Sequence, residues 1–377
     1  MNQTGASKPP IQRVFILAGE ASGDAYGGAL VGALLNAQPT LEIRCWGGEA
    51  MAAAGATCLR HYKTLAFMGI WEVVKNAFTI RRRFKECWAQ IETFQPEVLV
   101  GIDYPGFNLR MARKAKRAGI RTHHYISPSV WAWKKNRVRT IQQNIDRLHV
   151  ILPFEKEWYA REGLDVHWVG HPLLELLQTE HQSPSPNAHE RPRLLLVPGS
   201  RAQELEHMLP VMVKAAQRLP QFDAVVAGAP GRNLKHYQTA EKAGIPVEFG
   251  QTRNLMRSCA VGLVTSGTAT LEAALLGLPH VICYKTSRVT YSIARLLVQS
   301  RWIGLPNILL QHDAVPERIQ SQCTPGTLQE AVLALHDGTS NSPSAEQQCQ
   351  HFERLGRALE SEQPASEQVA NSILSGQ

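Results

Sequence analysis

Residues 260–272 read AVGLVTSGTATLE: an apolar run, a small hydroxyl-rich turn and the start of a helix. An apolar run without alternation suits a strand covered on both faces, as in a parallel sheet. Parallel strands need crossover connections, usually helices, and the chain supplies them repeatedly. Strand-like runs at 14–18, 98–102, 123–126, 148–152 and 166–169 alternate with helical patterns at 25–36 and 109–118. In the first helical pattern Leu30, Val31, Leu34 and Leu35 share one face. The rhythm resumes with strands at 194–197, 224–227, 260–264 and 280–284 and helices at 204–218 and 269–276. Such alternation predicts an α/β fold.

The clearest composition break is TEHQSPSPNAHERP, residues 179–192, which reads as a linker between domains. It leaves a Rossmann-like domain over 11–178 and a second over 193–336. A polar stretch then precedes a helical tail over 345–377. The expected architecture is two facing Rossmann-like domains with that tail, and the cleft of such a pair is a natural ligand site. With 377 residues, 44% hydrophobic and 19% charged, the chain is long enough for two soluble cores. Its N-terminus lacks the apolar core of a signal peptide, so export is not expected. Seven cysteines without CxxC or zinc spacing suggest reduced thiols in the cytoplasm. A net charge of +8, with basic clusters at 81–85, 110–121 and 134–139, calls for an anionic partner. No nucleic-acid module accompanies them, which favours an anionic lipid surface or a phosphorylated substrate; each cluster taken singly also suits a solvated helix face.

The chemistry should reside in the turns. Ser266, Gly267 and Thr268 leave room for an anion against backbone N–H groups at a helix start. Glu272, one turn on, leans back toward the same place and can accept from sugar hydroxyls. An ordinary capped βα turn has the same residues. In AGEASGD, residues 18–24, Glu20 and Asp24 stand where an alcohol can be met; helix capping is the other use. In GIDYPGFN, residues 101–108, Asp103 ends a parallel strand, where α/β enzymes keep their ligands. It suits a general base or a brace for the Pro105–Gly106 turn. Trp131 and Trp133, beside Lys134 and Lys135, suit a sugar or acyl chain, or plain core packing. In LLLVPGSRAQELE, residues 194–206, Ser200 and Arg201 suit a diphosphate; the competing use of Arg201 is an ion pair with Glu204. Residues 65–74, LAFMGIWEVV, are either core or a lipid contact.

AGEASGD, GIDYPGFN, YISPSVWAW, LPFE, VGHPL, PGSR, SGTATLE and GLPNIL occur here in one order. In that order, over residues 13–320, the chain resembles lipid-A-disaccharide synthase. The resemblance implies the two-Rossmann, GT-B type glycosyltransferase architecture, with no cofactor and no metal requirement. It implies inverting transfer of 2,3-diacylglucosamine from its UDP conjugate to the 6-hydroxyl of 2,3-diacylglucosamine 1-phosphate. The products are the β-1′,6-linked disaccharide phosphate of lipid A synthesis and UDP. It further implies work at the cytoplasmic face of a Gram-negative inner membrane and dimerisation through the tail. On this reading Arg201, Ser200, Ser266, Gly267, Thr268 and Glu272 meet UDP, and Asn307 matches a position needed for activity. Asp103 and Glu20 are the candidate bases, and the acyl sugar meets Trp131 and Trp133. One departure stands out: Gly106 occupies a place where some members carry a second aspartate. Two other readings are another UDP-sugar enzyme of this architecture, such as a soluble glycosyltransferase or sugar 2-epimerase, and a non-catalytic nucleotide-sugar or lipid-binding protein.

Overall fold

The computed structural model describes residues 11–64, 77–132, 137–179, 191–287, 291–292, 295 and 300–376. The chain divides into two compact units, Met1–Glu180 with Leu359–Gln377, and His181–Ala358. The apolar stretch at 65–74, Trp133, Lys134, Lys135 and residues 180–190 of the expected linker lie outside the described residues.

The first unit holds seven parallel strands: β1 Arg13–Ala18, β2 Glu42–Gly47, β3 Thr57–His61, β4 Val98–Ile102, β5 Arg121–Tyr125, β6 Arg147–Val150 and β7 His167–Trp168. Their order is β3-β2-β1-β4-β5-β6-β7. The most continuously apolar strands, β1 and β4, pair at the centre, with Ala18 beside Ile102. Helices flank them because a strand buried on both faces needs cover on both. The helix Ala21–Ala37 buries Tyr26, Leu30, Val31 and Leu34. Trp46 of β2 is fully buried, stacks on Phe107 at 5.9 Å and donates its indole N–H to Gln90 at 2.7 Å.

The second unit repeats the plan with β8 Arg193–Val197, β9 Asp223–Gly228, β10 Val247–Phe249, β11 Val261–Thr265, β12 His280–Tyr284 and β13 Glu317–Ile319. All are parallel, in the order β10-β9-β8-β11-β12-β13. Val197 at the end of β8 lies beside Val264 of β11. Against β8 and β11 pack Met208, Leu209 and Met212 of the helix Ala202–Ala216. The helix Pro343–Leu359 joins this unit through Gln348, which accepts from the His280 N–H at 3.0 Å and donates to its carbonyl at 3.3 Å.

The chain then returns to the first unit. The Ser361 hydroxyl donates to the Val169 carbonyl at 3.0 Å, and the Ser366 N–H to the Glu175 carboxylate at 3.2 Å. The last helix, Ala365–Leu374, packs on the helix Ala21–Ala37 with Val369, Ala370 and Ile373 buried.

Several histidines are sealed in these cores. Burial pushes His123 and His171 down to about 3, and His124 and His280 down to about 4, so they fold neutral. The unfolded chain takes up protons near pH 6.5, so stability is full above that pH and falls as pH drops toward the folded values. Glu155, raised to about 7 by burial, works the other way, but it is one group against four. We expect the thermal midpoint to decline steadily from pH 7 to pH 5, and His124→Leu to flatten that decline; a midpoint independent of pH would contradict the assignment.

Candidate active site

In a doubly wound sheet, loops diverge where the strand order reverses, and ligands bind at the carboxyl ends there. In the first unit that point lies between β1 and β4. The turn after β1 presents Gly19 and Glu20, and the turn after β4 presents Asp103 and Tyr104. The structure brings the two turns together: a Cβ on Gly19 would lie 2.3 Å from the Tyr104 ring. Burial first, then the charge of Glu20, raises the Tyr104 hydroxyl to about 12.

The Asp103 turn is strained. Asp103 and Tyr104 are consecutive non-glycine residues in the left-handed region, with φ 44° and 45°. Such residues cost on the order of 1–3 kcal/mol each and persist only where the surroundings dictate them. The dictating group is Asn108, which no sequence argument had given a role. It is buried, and its carboxamide N–H₂ donates to the carbonyls of Asp103 at 2.7 Å, Ile102 at 3.2 Å and Leu17 at 3.3 Å. The Asp103 N–H continues the ladder to the Tyr125 carbonyl at 2.9 Å. Pro105 then opens the helix Pro105–Arg117, where its missing N–H is no loss. At Gly106 a Cβ would meet nothing within 4 Å. The next strand, β5, also ends in strain: Ile126, β-branched, has φ 68°.

Two first-unit residues take the structural use named above. The Asp24 carboxylate accepts from the N–H groups of Gly48 at 2.6 Å, Ala50 at 3.0 Å and Met51 at 3.3 Å, so it anchors the helix Glu49–Ala53. Trp131 is half-buried, edge-on to Phe154 at 5.0 Å, and its N–H donates to Glu155 at 3.2 Å. Its N–H is thus used within the chain, while the residue stays partly exposed.

In the second unit the order reverses between β8 and β11, the strands that feed the PGSR and SGT turns. Glu204 occupies the PGSR turn. Its carboxylate accepts from the N–H groups of Ser200 and Arg201, each at 3.1 Å, and pairs with the Arg201 guanidinium at 3.0 Å. Gly199, at φ 97°, makes room for it: a Cβ there would lie 2.4 Å from the carboxylate. The N–H groups and guanidinium expected to meet a diphosphate hold the chain's own carboxylate, as a capping box. The pair with Glu204 is the arrangement adopted, and Arg201 remains half exposed.

The SGT turn differs. Its helix, Thr268–Leu275, starts from Gly267, which brings no side chain to cap it. Gly267 and Thr268 are exposed. Glu272 does not stand alone behind them, because it pairs with Arg253 at 2.5 Å, a partner no motif announced. The Ser266 hydroxyl donates to the Ile303 carbonyl at 2.8 Å. Asn307 is fully buried, and its side chain is spent on Val315 and Glu317. Asn307, at the position the resemblance ties to activity, thus holds Val315 and Glu317 in place with its side chain. Among the described residues no group of three or more His, Cys, Asp or Glu could hold a metal ion.

Two Rossmann-like units, each with its polar turns at the switch point, define the class: a two-domain α/β protein of the GT-B type. The UDP-GlcNAc 2-epimerase from Neisseria meningitidis, solved with UDP-GlcNAc bound, shares this fold at TM-score 0.61 and 16% identity, covering 96% of this chain and 100% of that one. The glycosyltransferase of kitacinnamycin does so at TM-score 0.59 and 13% identity, covering 97% and 99%. The family model for lipid-A-disaccharide synthetase matches residues 14–373. The lipid-A-disaccharide synthase of Syntrophus aciditrophicus is 36% identical over 360 residues, covering 91% of this chain and 93% of that protein. The chain belongs to the lipid-A-disaccharide synthase family.

The Gly19–Tyr104 contact makes a testable point. A methyl at Gly19 must displace the Tyr104 ring and with it the Asp103 turn. We expect Gly19→Ala to lower disaccharide synthesis by about 100-fold, the scale of a 1 Å misplacement, with UDP affinity unchanged. Wild-type turnover in the folded variant would show that the turn geometry is not critical.

Proposed function

We propose that the chain transfers 2,3-diacylglucosamine from UDP-2,3-diacylglucosamine to the 6-hydroxyl of 2,3-diacylglucosamine 1-phosphate, with inversion at the sugar C1. The first unit takes the acceptor and the second takes UDP. Inversion in one displacement needs a base on the attacking hydroxyl and stabilisation of the departing diphosphate. Asp103 is the base in this reading, and the observation that carries it is the pair of left-handed residues, Asp103 and Tyr104, pinned at the end of β4 by Asn108. Strain of this kind concentrates where function needs a side chain aimed. Glu20, on the neighbouring turn, is the second candidate. Gly106 offers no competing acid.

The departing charge falls to Arg201 and to the N–H groups of the Ser266–Thr268 turn, aided by the dipole of the helix Thr268–Leu275. The diphosphate must displace Glu204 from its cradle to reach Arg201. Glu272, oriented by Arg253, faces the ribose hydroxyls.

The acyl chains call for a lipid surface. Among the described residues no helix is long and apolar enough to cross a membrane. Peripheral attachment to the anionic cytoplasmic face of the inner membrane is supported by the helix Ala77–Phe94, where Phe78 is 90% exposed beside Arg81, Arg82, Arg83 and Lys85.

Purified protein given both lipid substrates without added metal should release UDP and form the disaccharide phosphate; no product would refute the reading. Asp103→Asn should keep UDP affinity and lose roughly 10²–10⁴-fold in turnover, while near-normal turnover would move the base to Glu20. For Arg201→Ala the expected result is UDP binding weaker by about tenfold or more, the worth of a charge-assisted hydrogen bond. Unchanged affinity in a titration would remove Arg201 from the diphosphate site.

A further inference from the structure

The turn at Ser266 is the end of a hydrogen-bonded chain that starts inside the second unit. Asn307 is locked first: its Nδ2 donates to the Val315 carbonyl at 2.8 Å and its Oδ1 accepts from the Val315 N–H at 2.8 Å. The same Nδ2 donates to Glu317 Oε1 at 3.0 Å. The Glu317 carboxylate then accepts from the Ile303 N–H, 3.1 Å to Oε2, and from the Gly304 N–H, 2.9 Å to Oε1. Gly304 caps the helix Leu305–Leu310 and is pressed onto the sheet, where a Cβ would lie 2.2 Å from Ile282 of β12. A side chain there would have to push the Ile282 methyl end aside, so Gly304 gives the segment a close seat on β12. From that seat the Ile303 carbonyl accepts from the Ser266 hydroxyl at 2.8 Å, while the Ser266 N–H donates to Cys283 at 3.0 Å. Ser266 is thereby held on both sides, immediately before the exposed Gly267 and Thr268.

Given the donor reading above, on which this rests, we propose that Glu317 is a positioning residue for the UDP-sugar. It touches no substrate; it fixes Ile303 and Gly304, and these fix the Ser266 turn whose N–H groups receive the diphosphate. A carboxylate is the group the place requires, because three N–H donors converge on it and none of them needs an acceptor that also donates. A glutamine would keep the length and the packing. It would offer one accepting oxygen and set its own N–H₂ against a backbone N–H, so the seat of Ile303 would shift without leaving a cavity. The role also accounts for Asn307: from a fully buried position it holds Glu317 and Val315, and through Glu317 it reaches the turn.

The test uses full-length wild type, Glu317→Gln, Ser266→Ala and the double variant. UDP affinity is measured by calorimetry, donor and acceptor KM by initial rates, and stability by the thermal midpoint. We expect Glu317→Gln to weaken UDP binding and raise donor KM by roughly five- to tenfold, the loss of about one hydrogen bond, with acceptor KM unchanged. Because the two residues act along one chain, the double variant should bind UDP no worse than the weaker single variant. A lowered midpoint with UDP affinity within twofold of wild type would make Glu317 structural only and overturn the proposal, as would effects that multiply in the double variant. Should Glu317→Gln not fold, Ser266→Ala, which breaks only the last link, must still weaken UDP binding, and wild-type affinity there overturns the proposal. Wild type that binds no UDP would instead sink the donor reading, and this inference with it.

Discussion

Two strand ladders govern where most of the candidate residues lie, β1 with β4 and β8 with β11. Because all the strands run parallel, their carboxyl ends gather along one edge of each sheet. Because the order reverses between those pairs, the helices that follow leave to opposite sides and a crevice opens between the turns. Pairing Ala18 with Ile102 sets Glu20 beside the Asp103 turn, and pairing Val197 with Val264 sets PGSR beside SGT. The polar residues would be scattered without these registers. The hydrophobic runs that build the strands are thus also what concentrates the chemistry.

A second regularity concerns helix starts. Orphan N–H groups there attract an acceptor, and a nearby carboxylate is favoured further by the dipole. Asp24 fills the start at Gly48–Met51, Glu155 the one at Ile151–Leu152, Glu204 the PGSR turn and Glu317 the Ile303–Gly304 pair. The helix after Gly267 begins with a residue that brings no side chain to the task. On adjacent strands, one helix start is thus capped by its own carboxylate and the other has no side-chain cap.

How much of this was legible follows from how the signal is carried. The central strands are nearly all apolar, so 14–18, 98–102 and 260–264 were readable in advance. β2 and β3 were not, because their sequences, EIRCWG and TCLRH, put arginines on an outer part of the sheet where one face is less covered. The helix Ala77–Phe94 was read only as a basic cluster, since its arginines mask a buried face of Cys87, Trp88 and Ile91. At the site, residue types at strand ends were informative, and Asp103, Glu20, Ser200, Arg201 and Ser266–Thr268 all fall at switch-point turns. What the residue types could not say was which polar group is already spent. Asp24, Trp131 and Asn307 are consumed by partners 24 residues, 24 residues and 8 residues away. Asn108 stood within a quoted motif, but its task depends on three carbonyls meeting in space. Arg253 and Glu317 lie in no quoted motif.

The order of segments in the first unit has a consequence for how the molecule is made. Its sheet is complete by residue 168, yet one of its covering helices is the last of the chain, and the whole second unit is encoded in between. Chains emerge from the ribosome N-terminus first and domains generally fold as units. The second unit is therefore synthesised before the helix that completes the first, and until that helix emerges the face of Ala21–Ala37 that Val369, Ala370 and Ile373 cover lacks its partner. The patch that waits longest for its cover thus belongs to the part of the chain made first.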